Sequence, residues 1–143
     1  MNLKFAFAVN KENQFDKRYF GDAYKYLIYE QVDDEIMLIG EEINNFKLFD
    51  EEHEHGSKKK GDAIIKLLKE KEVNVLVSMQ FGKNIKMVNE YFIPVIIHSE
   101  KPEDAIEILN KHLHWIKDEW GKNKSNFKLF TIKAGILKSS IKK

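Results

Sequence analysis

Two histidines two residues apart, His53 and His55, precede the run Gly56-Ser57-Lys58-Lys59-Lys60-Gly61, and no other stretch of the chain gathers so many groups able to do chemistry. A neutral imidazole can hold iron or another transition metal, with a hydrogen bond to its second nitrogen fixing the tautomer. Side chains at spacing two point to opposite sides of an extended loop, so a chelate needs a turn or a third ligand such as His98. The run that follows has glycines for tight turning, Ser57 as a cap and lysines at a helix start, where free N–H groups and the helix dipole attract anions. His55 and His53 are therefore the candidate metal ligands, and Gly56, Ser57 and Lys58 the candidate anion-binding groups. The plain alternative is a solvated polar loop whose Ser57 caps a helix, worth about 1 kcal/mol. A nucleotide loop fits less well, because the GxxxxGK[ST] order is missing and no strand leads directly into the run.

Other chemistries are poorly supplied. With Cys 0, thiolate zinc sites, cysteine nucleophiles, disulfides and cysteine-held iron–sulfur clusters are excluded, leaving His, Asp, Glu and Met as metal ligands. A two-metal nuclease needs clustered carboxylates, and the first strand, LKFAFAV, carries none. No nucleophile elbow is present for a Ser/His/Asp hydrolase. Phe15, Tyr19 and Phe20 around Lys17 and Arg18 have the composition of a base-stacking surface. The net charge of +1 gives no long-range field for nucleic acid, so these aromatics are expected to close a loop over the sheet. The expectation is a non-enzymatic protein.

These groups must be positioned by a fold. At 143 residues, 33% charged and 43% hydrophobic, the chain is long enough for one domain with a real core. It lacks an apolar run long enough to cross a bilayer, and MNLKFAFAVN is too short and too regularly alternating for a signal peptide, which predicts a cytoplasmic protein with no membrane partner. Leu3, Phe5, Phe7 and Val9 alternate with smaller residues as a strand does. Strands at 24–32 and 35–43 meet at Asp33-Asp34 as a hairpin. Ala63, Ile64, Leu67 and Leu68 make a helical stripe, and Val73 to Val77 a strand covered on both faces. A second helix is expected over 83–92 and a strand over 93–98. A helix opening at Ser99 and Pro102 runs to Gly121.

The right-handed crossover rule then predicts a five-stranded mixed sheet of order 3-2-1-4-5 with helices on both faces. Loops 10–21, 44–58, 79–84 and 98–102 fall at one rim, beside the point where strand order reverses and open α/β sheets hold ligands. Arg18 and Gly82 join the candidate binding residues on that basis. Residues 1–120 are read as the domain and 121–143 as a C-terminal extension, with an extra strand at 127–132 and a basic tail from Ala134. Trp115, Trp120 and this extension suggest a homodimer or a covered protein partner.

Phe20-Gly21 followed by Ala23, Tyr26 and Leu27-Ile28-Tyr29-Glu30, then His55-Gly56 before a lysine-containing helix start, then Phe81-Gly82-Lys83-Asn84-Ile85, occur in the order found in one family. Over residues 3–112 the chain resembles the dinitrogenase iron-molybdenum cofactor biosynthesis family. The resemblance implies a ribonuclease H-like three-layer α/β fold and a binder or carrier of iron-molybdenum cofactor, an iron–sulfur precursor or a related anion, serving a client or scaffold protein. Tyr19 stands where the family often has histidine, and Ser78 where a glycine is usual. The alternative is a protein-interaction module without a metal ligand.

Overall fold

In the computed structural model, residues 2–45, 58–82 and 85–139 are described. The first strand, β1 (Lys4–Val9), lies inside the sheet with a neighbour on each side, and its alternation separates two cores. Phe5, Phe7 and Val9 enter one, while Ala6 and Ala8 enter the other. Small alanines leave room for a helix to lie close on their face, and the bulky set fills the thicker layer opposite.

β1 pairs antiparallel with β2 (Lys25–Val32), which turns through Asp33-Asp34 into β3 (Glu35–Ile43). Asp33 sits at φ 57, a left-handed conformation that Asp tolerates and two-residue hairpins require. On its other side β1 pairs parallel with β4 (Val75–Ser78), and β4 with β5 (Ile93–Ile97). Helix α1 (Lys58–Glu70) is the crossover into β4, and the single turn α2 (Ile85–Val88) leads into β5. Ile64, Ile65 and Leu68 of α1 pack with Ala6, Ala8, Ile28, Leu76 and Phe92. On the opposite face, α3 (Pro102–Lys111) and α4 (Leu113–Lys122) set Ala105, Leu109, Leu113 and Ile116 against the phenylalanines of β1. Each large side chain so buried contributes about 1.5–3 kcal/mol.

The order β3-β2-β1-β4-β5 is as expected, but the sheet continues through β6 (Phe130–Lys133) and β7 (Ile136–Ser139) to seven strands rather than five. β6 runs parallel to β5, and a two-residue turn at Ala134 (φ 52) and Gly135 (φ 75) returns the chain antiparallel as β7. The stretch from Ala134 is thus not simply a basic tail, because Gly135 makes the turn and Leu137 buries in the same core as Phe127, Phe130 and Ile132. Two helices also differ from expectation. The turn α2 ends at Val88, whose carbonyl accepts the N–H groups of both Tyr91 (3.1 Å) and Phe92 (3.0 Å) as the chain turns into β5. The long helix to Gly121 is broken at His112 (φ −127, ψ 25), whose ring stacks on Trp115 with centroids 4.3 Å apart. Leu109 and Leu113, on either side of the break, both bury in the same core.

Candidate functional site

Three of the rim loops meet, and specific bonds hold them. After β1, Asn10 Oδ1 accepts the N–H groups of Glu12 and Gln14 (both 3.0 Å), shaping the loop into an arch. Phe15 plugs the arch into the core 5.3 Å from the Phe7 ring, and its N–H donates to the Glu100 carbonyl at 2.9 Å. That bond joins the first loop to the one after β5. The Phe20 N–H donates to the Gln80 carbonyl (2.8 Å), and the Gln80 amide Nε2 donates to the Lys17 carbonyl (2.7 Å). The loop after β4 is thereby stitched to the first along Tyr19–Gln80, which pair as a short parallel bridge. Ser78 donates its hydroxyl to the Gln80 carbonyl at 2.8 Å and helps set that loop.

Beneath the rim lies a buried polar knot. The Tyr26 hydroxyl donates to the Phe20 carbonyl (2.8 Å), and Asn44 Nδ2 donates to the carbonyls of Gly21 and Ala23 (both 2.9 Å). Burial, reinforced by the Asp22 carboxylate, holds the Tyr26 phenol far above its ordinary range, so it stays a donor. The Phe20 ring stacks on Tyr26 (4.8 Å) and on Phe81 (5.6 Å). The single-turn helix Phe20–Asp22 is thus fixed from three sides.

Gly82 lies in the left-handed region at φ +72, and a Cβ there would come within 3.1 Å of the Tyr19 ring. Only glycine meets both demands without strain. Arg18 is exposed at the same rim, its Nε 3.7 Å from Asp16 Oδ2 and its N–H donating to Asp16 Oδ1. Lys58 opens α1, whose C-terminal turn adjoins the strand edge where Asn74 N–H donates to the Lys4 carbonyl (2.9 Å). The helix also contacts the Phe20–Asp22 turn, so its start is carried toward the rim. Its first turn holds no acid, which leaves the positive end of the dipole beside the sequence Lys58-Lys59-Lys60. Such a start is unfavourable for a helix alone and favourable once an anion is present.

His53, His55, Gly56 and Ser57 lie outside the described residues. His98 is exposed at the end of β5, its N–H donating to the Ile132 carbonyl (2.9 Å), which ties it to the extension. Among the described residues, no three His, Asp or Glu side chains are placed to hold a metal ion. The described part of the rim offers N–H groups, hydroxyls and cations. Sequence reasoning places Gln80 at the rim but does not single out Asn44. Nothing in the sequence distinguishes a buried asparagine after a strand from an ordinary loop residue. A cleft of about 500 Å³ lies at the opposite end of the strands, where Lys4, Lys69, Glu30 and Glu72 balance one another beside Tyr91 and Trp120.

The sequence profile of the dinitrogenase iron-molybdenum cofactor family matches residues 1–112. The chain belongs to that family. The matched region ends with α3, so α4, β6 and β7 lie beyond the family's pattern. The pinned Phe20-Gly21 turn and the Tyr19–Gly82 contact both fall within it. No curated protein matches the chain. Among the described residues, no helix is long and apolar enough to cross a membrane.

Proposed function

We propose that this family member is a non-enzymatic carrier of an iron-molybdenum or iron–sulfur type cluster, or of a related anionic precursor, held at the rim and passed to a client protein in the cytoplasm. The carrying observation is the rigid junction of three loops beside a helix start that has lysines and no acid in its first turn. Family membership supplies the class of cargo. In this reading Gly56, Ser57 and Lys58 present N–H groups and charge to the anionic part of the cluster. His55, helped by His53, ligates a metal atom, while Arg18 and Gly82 border the site. The ribonuclease H-like three-layer fold belongs to the same proposal, supported by the mixed sheet with helices on both faces.

Metal analysis of protein loaded anaerobically with iron, sulfide and molybdate tests this. The wild type is expected to retain metal through desalting, and the His53→Ala/His55→Ala variant to lose most of it while keeping its circular dichroism spectrum. Undiminished metal in the double variant would remove the histidines from the site. A second reading, an interaction module without metal, is favoured by the apolar outer strand β3, where Met37, Leu38 and Ile39 are exposed. Failure of the wild type to load would leave that reading in place.

A further inference from the structure

A smaller cleft, of about 280 Å³, opens between α4 and the strands of the extension. Every residue lining it lies between Trp115 and Ser139, beyond the region 1–112 that matches the family, so it stands apart from the rim and from what is proposed there. At its base is a carboxylate. Glu119 is only 5% exposed, and a carboxylate is buried to that degree only where partners compensate its lost hydration. One oxygen has them: Oε2 accepts the Asn123 Nδ2 and Lys128 N–H bonds, both at 2.9 Å. The other, Oε1, accepts no bond from the protein. It is not sealed away either, since His112 Nδ1 is the one buried side-chain atom left unpaired among the described residues. Oε1 therefore opens into the cleft that Glu119 lines, an acceptor held in place through its twin oxygen.

Around that acceptor stand charges of both signs. Asp118 and Lys122 are one turn apart on α4, a spacing that allows an ion pair, and Lys128 lines the same cleft. All three are exposed, and among the described residues none of them makes an ion pair. Trp115 adds an aromatic wall: its indole is stacked on the His112 ring at 4.3 Å, and 43% of the residue stays exposed. Phe130 of β6, buried, supplies an apolar floor. This combination selects among ligands. A simple cation is drawn to Glu119 and Asp118 but repelled by Lys122 and Lys128, and a simple anion meets the reverse. A molecule carrying both charges finds a partner for each. The volume, just below the roughly 300–1,000 Å³ of drug-sized ligand pockets, suits one small molecule.

We propose that this cleft binds a free amino acid with an apolar side chain. The ammonium donates to Glu119 Oε1, with Asp118 adding to the attraction. The carboxylate meets Lys122 and Lys128, and the side chain lies on Trp115 and Phe130, where burying apolar surface favours it.

Amide and indole shift mapping of the full chain during titration with leucine and with phenylalanine tests the site. Saturable shifts are expected at the Trp115 indole, Glu119, Lys122 and Lys128. N-acetylleucine, which lacks the ammonium, and leucinamide, which lacks the carboxylate, should each bind at least tenfold more weakly than leucine. Glu119→Gln keeps an oxygen for Asn123 and Lys128 but replaces the open acceptor with an N–H donor, so it should lose tenfold or more in affinity. Lys122→Glu/Lys128→Glu changes two exposed side chains, spares the fold, and should lose as much. Circular dichroism verifies the fold of both variants. Absence of saturable shifts at these residues up to about 10 mM of either amino acid overturns the proposal. So does N-acetylleucine or leucinamide binding as tightly as leucine, or undiminished affinity in the double lysine variant.

Discussion

Replacing Gly82 with alanine probes the rim where backbone conformation and packing act together. Alanine at φ +72 costs about 1–2 kcal/mol in backbone strain. Its Cβ would also lie 3.1, 3.2 and 3.3 Å from three Tyr19 ring atoms, closer than ordinary contact. Tyr19 is 47% exposed, so the ring can swing outward, and this part of the cost should sit at the low end of overpacking, about 1 kcal/mol. The expected total is about 2–3 kcal/mol, read from urea denaturation midpoints at unchanged slope. In a Tyr19→Ala background the contact is gone and only the backbone strain remains, so the same substitution should cost about 1 kcal/mol less. A Gly82→Ala variant as stable as the wild type, or an identical cost in both backgrounds, would refute the described packing of Tyr19 on Gly82.

Asn44→Ala leaves the carbonyls of Gly21 and Ala23 without their buried donor, and should destabilise by about 2–4 kcal/mol in the same denaturation assay. Burial, the larger cause, and a nearby carboxylate raise the phenol pKa of both Tyr26 and Tyr29, by Asp22 and Glu103 respectively. The folded chain keeps protons that the unfolded chain releases near pH 10.0, so stability should be level below that pH and fall above it. Denaturation midpoints from pH 8 to 11 measure this, and Tyr26→Phe should flatten the alkaline fall. Glu119 is buried and accepts the Asn123 Nδ2 and Lys128 N–H bonds, both 2.9 Å. Glu119→Ala should therefore speed amide exchange in β6 and β7 by tenfold or more, with Glu119→Gln recovering part of the protection.

The parts of the fold carried by local periodicity were legible in the sequence. Leu3 to Val9 alternates in a way only a strand can bury, and Asp33-Asp34 between two β-rich runs gives the hairpin at the observed bounds. Strand order followed from short connections and crossover handedness, and this brought Arg18, Gln80 and Gly82 to one rim before any coordinates. The last two strands were harder to see. Ile136–Ser139 is four residues with one buried side chain, too short for a period to stand out from a lysine-rich end. The helix break at His112 has neither proline nor glycine to announce it, and the His112–Trp115 stacking that accompanies it is visible only in the structure. Asn44 escaped notice because its role depends on carbonyls 21 and 23 residues away in sequence.

Amide shift mapping during titration with tetrathiomolybdate, a soluble molybdenum–sulfur anion, measures rim binding most directly. Saturable shifts are expected at Lys58–Gly61, Tyr19–Gly21 and Gln80–Gly82, weakened at least tenfold in affinity by Lys58→Glu/Lys59→Glu. Shifts confined to the opposite cleft at Lys4, Asn74 and Tyr91, with the rim unmoved, would contradict binding at the rim.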